Sequence, residues 1–252
     1  MTFWIDAHCH MNEECYRENF DEYMARAKEN NVQISNVVCL NKEDYLYSCQ
    51  LKERYPQLDI SFGYFPEDLH HDNAQDMAYL ESVADSLMCI GEIGLDYYYS
   101  REHKAQQQEM FIRQIRLANK AGKPIMIHSR SAAQDTYDIL KEYAKTPVMM
   151  HCFSESHEMM QRYLKLGYYI SIGGVVTFKN AQSVKLNAQT CPLDNLLTET
   201  DCPYLTPVPL RGRQNETAYV HYTGEYIAQL RGISEAELQQ AVMNNYFRYR
   251  GY

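Results

Sequence analysis

Short apolar runs alternate with longer amphipathic stretches almost from one end of this chain to the other. The apolar runs fall at residues 3–10, 34–40, 58–64, 88–95, 124–128, 148–151, 168–173 and 196–201. Their near-continuous apolar character predicts strands covered on both faces. The stretches between them carry helical spacing. Leu80, Val83, Ala84 and Leu87 follow it, as do Phe111, Ile115 and Ala118, and then Met159, Met160, Tyr163 and Leu164. Gly122 and Gly167 fall where helices stop before the next strand. Ser234 followed by Glu237 marks the start of the last helix.

Strand–helix alternation implies parallel strands joined by right-handed crossovers. About eight such units favour an α/β fold of the closed (β/α)8 TIM-barrel type over an open sheet. The 252 residues match one barrel and are expected to form a single domain, 1–252. No G-x-G-x-x-G follows a strand and no G-x-x-x-x-G-K-[ST] is present, which weakens dinucleotide and P-loop alternatives. The proline-rich segment 203–209 reads as a loop after the last strand.

In a parallel barrel all strand C-termini open on one mouth, where active sites sit. Metal-binding side chains recur at those ends. The first strand closes on Asp6-Ala7-His8-Cys9-His10, and residues two apart on a strand face the same way, so His8 and His10 point inward together while Ala7 and Cys9 point to the helices. Glu92 sits inside the apolar run of the fourth strand, where a carboxylate is costly unless paired or bound to a cation. Asp96 reads as a loop or capping residue beyond that strand. His128 and His151 end the fifth and sixth strands, and Asp201 the eighth, with Glu199 one layer deeper. A lone H-x-H is weak evidence and a buried acid can be a salt-bridge partner, but six such residues at matching strand ends form a set. Four imidazoles and two carboxylates suit two divalent ions ~3.5–4 Å apart, with Glu92 the candidate bridge. Zinc, manganese, cobalt and magnesium all accept such donors.

Composition narrows the partners. The net charge of -9 argues against a protein that coats nucleic acid, though not against an enzyme that handles one phosphate at a time. The eight cysteines include no C-x-x-C pair, and several lie in apolar runs, as buried reduced thiols do. No apolar stretch approaches a membrane span and the first residues lack a signal-peptide pattern, so the expectation is a cytoplasmic protein with no membrane partner.

The ordered set Asp6-Ala7-His8-Cys9-His10, Gly91-Glu92-Ile93-Gly94-Leu95-Asp96-Tyr97-Tyr98, Lys123-Pro124-Ile125-Met126-Ile127-His128-Ser129-Arg130, His151-Cys152-Phe153-Ser154, Glu199-Thr200-Asp201-Cys202-Pro203-Tyr204-Leu205 and Arg211-Gly212-Arg213-Gln214-Asn215-Glu216 resembles the TatD family of metal-dependent deoxyribonucleases, within the amidohydrolase-like barrels. The resemblance runs from the first residues to Phe247. It implies His8, His10 and Asp201 on one ion, His128 and His151 on the other, and Glu92 between them. It also implies hydrolysis of DNA or another phosphodiester at the barrel mouth, often from a strand end, with Asp201 and Glu92 as catalytic residues. Arg130, Lys179, Arg211 and Arg213 lie in loops after strand ends, where they can hold flanking phosphates. Tyr204, with Tyr97, Tyr98 and Tyr99, is placed for substrate contact. Three positions depart from the family pattern: Phe65 and Glu67 stand where its Gly-x-His-Pro-His segment has histidines, and Glu155 where glycine is usual. The ligand set is intact while a substrate-side group differs. Hydrolysis of a small ester, lactone or amide therefore stays open beside DNA hydrolysis, as does a metal-binding barrel without catalysis.

Overall fold

In the computed structural model, residues 1–98 and 101–251 are described. Eight parallel strands follow one another in sequence order: β1 (Trp4–Cys9), β2 (Val32–Cys39), β3 (Leu58–Phe62), β4 (Ile90–Asp96), β5 (Ile125–Arg130), β6 (Val148–Met150), β7 (Tyr169–Ile172) and β8 (Leu196–Thr198). Helices pack around them, so the architecture is the expected TIM-type barrel. β8 and β1 meet without a continuous ladder. They are joined by Asp201 N–H donating to His8 C=O at 3.0 Å and His10 N–H donating to Cys202 C=O at 2.8 Å. The Asp6 carboxylate reinforces the seam by accepting from the Thr200 N–H (2.8 Å) and hydroxyl (2.6 Å).

Burial explains why these runs are strands. Every residue of β1, β3 and β4 is buried, since one face meets the barrel interior and the other the helices. The helix Lys104–Ala121 buries Met110, Phe111, Ile115 and Ala118 on one stripe and stops at Gly122, whose φ of 65° is left-handed. The same stripe carries two buried glutamines seven residues apart, hence on one face. Gln107 pairs with both backbone groups of Asp96 (2.9 and 2.8 Å), and Gln114 with both of Tyr64 (2.8 and 3.0 Å). One helix thereby clips the ends of β3 and β4 through side-chain amides that complete their hydrogen bonding. The Ser234 hydroxyl caps the last helix by accepting from the Glu237 N–H at 3.2 Å.

Several ends differ from the sequence expectation. β4 runs on to Asp96, in register with Arg130 of a β5 that also runs past its expected end, so Asp96 is a strand residue rather than a loop residue. β8 stops at Thr198 because Asp6 takes over the Thr200 polar groups and Asp201 turns into the left-handed region at φ 55°. Alternation along a strand therefore does not place Asp201; that turn does. The cysteines are all free, and Cys9, Cys39, Cys89, Cys191 and Cys202 are buried as expected, whereas Cys15 is exposed. Among the described residues no helix is long and apolar enough to cross a membrane.

β4 and β5 approach tightly at Gly94, which pairs with His128. Its φ is +147°, and a Cβ there would lie 1.9 Å from the His128 carbonyl oxygen. A side chain has no room unless β4 and β5 part. Gly94→Ala is expected to cost about 1–3 kcal/mol or more in urea unfolding, and an unchanged midpoint would show that the two strands can separate freely.

Candidate metal centre

The C-terminal ends of the strands surround a cavity of about 630 Å³ whose wall includes His10, Phe65, Glu92, His128, Arg130, His151, Asp201 and Tyr204. A shallower groove elsewhere, lined by Asp21, Met24 and Tyr55, carries none of these imidazoles. The structure brings all six predicted donors together, and His8 completes the set from beneath the cavity floor, fully buried.

The donors form two groups that share Glu92. In the first, the Nε2 atoms of His8 and His10 face each other at 3.1 Å. They lie 3.7 and 3.8 Å from Glu92 Oε2, and 3.5 and 3.7 Å from Asp201 Oδ1. In the second, Glu92 Oε1 is 2.8 Å from His128 Nδ1 and 3.0 Å from His151 Nε2.

Each ring's far nitrogen also meets a group. His8 Nδ1 lies 2.9 Å from the Met126 sulfur, and His10 Nδ1 3.3 Å from the Val38 carbonyl oxygen. His128 Nε2 lies 3.0 Å from Asp96 Oδ2. His151 Nδ1 lies 3.3 Å from Glu199 Oε1 without a formed hydrogen bond. Glu199 is thus the deeper acid the sequence pointed to. Its Oε1 also accepts from the Cys152 N–H at 2.6 Å, and its Oε2 is buried without a partner.

These contacts set the protonation chemistry. Burial alone would raise the Glu92 carboxyl, but the His151 and His128 charges outweigh it and hold Glu92 well below the usual carboxylate range. Burial would lower His151, yet Glu92 and Glu199 hold it well above the usual histidine value. His8 is pushed well down by burial and by the neighbouring His151, whose ring stacks on it at 3.8 Å. Asp201 is pushed up to about 6 by burial.

Two imidazole nitrogens aimed at each other across 3.1 Å, with carboxylate oxygens on both sides, place several lone pairs on one point. Only one proton can serve such a pair of nitrogens; a divalent cation satisfies all four donors at once. The mix of nitrogen and carboxylate oxygen donors fits zinc, manganese, cobalt or magnesium.

Around this centre some expectations are met and others corrected. Asp96, assigned to a loop from sequence, touches His128; it shares strand parity with Glu92, and that was the available signal. Tyr97 does not face substrate: it is buried and donates to Asp135 Oδ2 at 2.9 Å. Tyr98 is exposed with the Arg130 guanidinium 4.1 Å from its ring centre, and Tyr99 lies outside the described residues. Arg130 and Tyr204 line the cavity. Lys179, Arg211 and Arg213 are exposed on the loops after β7 and β8, with Arg211 lying over Phe178. The Phe65 ring packs edge-on against His128 at 4.8 Å.

Fold and site together define a metal-dependent hydrolase on a TIM-type barrel. Residues 5–250 match the family model described as TatD related DNase, and the chain belongs to the TatD family. It is 38% identical to the uncharacterized metal-dependent hydrolase YcfH of Escherichia coli K12, over 98% of this chain and 95% of that protein. Identity to the uncharacterized metal-dependent hydrolase YabD of Bacillus subtilis is 37%, over 96% of both chains. Among solved structures, the TatD homologue YjjV of Escherichia coli superposes with a TM-score of 0.92 at 26% identity, covering 98% of this chain and 97% of that one.

Glu155, the departure after His-Cys-Phe-Ser, faces away from the donors. Its Oε1 accepts from the Ser129 hydroxyl at 2.5 Å while Oε2 is buried without a partner. Burial raises its carboxyl above the usual range. A raised folded-state value means that stability present below the unfolded value is lost as pH rises through the folded one. The stability of Glu155→Gln relative to wild type is therefore expected to rise with pH above about 4 and to level off once the buried carboxyl has ionised, measured by urea midpoints. A difference independent of pH would show that Glu155 is not ionising in a buried site.

Proposed function

We propose that this protein is a phosphodiesterase that hydrolyses single-stranded DNA from an end, using two divalent cations. His8, His10 and Asp201 would hold one, His128 and His151 the other, and Glu92 both. The observation that carries this reading is the opposed use of Glu92: one oxygen faces the β1 imidazoles and the other faces His128 and His151. The family match adds support, since its model is described as TatD related DNase.

Bound divalent cations supply Lewis acidity, which lowers the pKa of a water and neutralises charge on a phosphoryl oxygen. The chain's own residues supply the rest. Asp201 faces the cavity and is placed to take a proton from an attacking water. Arg130 brings a fixed positive charge to the cavity wall for a flanking phosphate. Tyr204, half exposed at the mouth, offers a ring on which an unpaired base can stack. Base stacking of this kind favours a single strand, whose bases are free of a partner.

A second reading, hydrolysis of a small ester, lactone or amide, draws on the apolar part of the wall. Leu40, Phe65, Val175 and Leu205 line it, and Phe65 occupies the place of a polar family residue. Kinetics on single-stranded DNA, RNA, small phosphodiesters and small carboxylic esters separate the two readings.

With DNA as substrate, chelator is expected to abolish turnover. His128→Ala and Asp201→Ala are each expected to lower kcat/KM by about 10²–10⁴-fold. Full activity in chelator, or in either variant, would remove the metal-dependent assignment.

A further inference from the structure

The two groups of donors are backed differently. Behind the β1 histidines stand neutral acceptors, the Val38 carbonyl and the Met126 thioether. Behind His128 and His151 stand carboxylates, Asp96 and Glu199. The group with charged backing is also the one poorer in direct carboxylates: it faces Glu92 alone, whereas the β1 group faces Glu92 and Asp201. A carboxylate behind a coordinating imidazole makes the ring a stronger donor and fixes which nitrogen carries the proton.

Asp96 is held for this purpose from three sides. Gln107 pairs with both of its backbone groups, and its Oδ1 accepts from the Tyr98 N–H at 2.8 Å, which leaves Oδ2 for His128 Nε2. The Phe65 ring against His128 limits the other ways that imidazole can turn. We propose that Asp96 is a positioning residue for the half-site of His128 and His151. By accepting the Nε2 proton it keeps the Nδ1 lone pair of His128 directed at the cation that Glu92 Oε1 faces. This rests on the two-cation reading of the site.

Asp96→Asn tests the claim sharply because the Tyr98 N–H still demands an acceptor. The amide oxygen takes that bond, the amide NH2 is turned to His128 Nε2, and the ring proton is driven to Nδ1, the wrong atom. Asp96→Ala removes the bias without reversing it.

Metal-free wild type, D96N and D96A are titrated with manganese alone by calorimetry, with bound metal counted after dialysis. Wild type is expected to take up two equivalents. In D96N one equivalent weakens by about 10–100-fold and the other is unchanged, with D96A intermediate. On the metal-free proteins, nitrogen NMR of His128 is expected to show a proton on Nε2 in wild type, whether or not Nδ1 carries one towards Glu92, and none on Nε2 in D96N. Two undisturbed equivalents in D96N, or the absence of a proton on Nε2 in wild type, would overturn the proposal. If wild type binds no manganese the two-cation reading fails, while the NMR assignment still decides what Asp96 does. Should D96N not fold, the D96A comparison carries the binding test.

Discussion

A single buried carboxylate, Glu92, has to satisfy imidazoles on both of its sides at once. Burying an ionised acid costs several kcal/mol unless opposite charge or a metal compensates. Here His128 and His151 meet one oxygen, while His8 and His10 lie near the other. The surrounding histidines hold Glu92 ionised despite its burial. The remaining geometry of the site follows from where four strands must stand for those four rings to reach one carboxylate.

The barrel meets that requirement with local devices. Gly94 lets β4 and β5 come close enough for Glu92 and His128 to share a hydrogen-bond distance. Gln107 and Gln114, from one helix face, fasten Asp96 at the end of β4 and Tyr64, next to Phe65, beyond the end of β3. The β8–β1 seam is tied by Asp6 and by backbone bonds between His8, His10, Asp201 and Cys202. Those bonds involve donors of the site themselves, so the contacts that close the barrel also position part of the centre.

The mouth is built unevenly. Arg130 and Tyr204 give it groups suited to phosphate and to a flat ring, while Leu40, Phe65, Val175 and Leu205 make the remaining wall apolar. An overall charge of -9 means that attraction for a polyanion has to be local. Arg130 on the wall, the exposed Lys179, Arg211 and Arg213, and the cations proposed for the centre are the available sources of it. This is why metal binding and substrate binding are expected to be coupled in this protein.

Sequence alone pointed to the architecture and to a candidate set of donors. The eight apolar runs separated by helical stretches specify parallel strands covered on both faces, and their number favours closure into a barrel over an open sheet. Histidines and an acid at strand ends, with one carboxylate inside an apolar run, picked out His8, His10, His128, His151, Asp201 and Glu92 as candidates. Tertiary structure alone decided what stands behind them. The Asp96 contact with His128 depends on β4 extending into register with a lengthened β5, and the burial of Tyr97 depends on Asp135 waiting in a neighbouring helix. Asp201 reaches the centre from a left-handed turn rather than by strand alternation, because Asp6 on the far side of the seam captures Thr200. Periodicity reports which face a residue takes within its own element. It carries no information about partners brought in from another strand, and those partners are what stand against the outer nitrogens of the imidazoles.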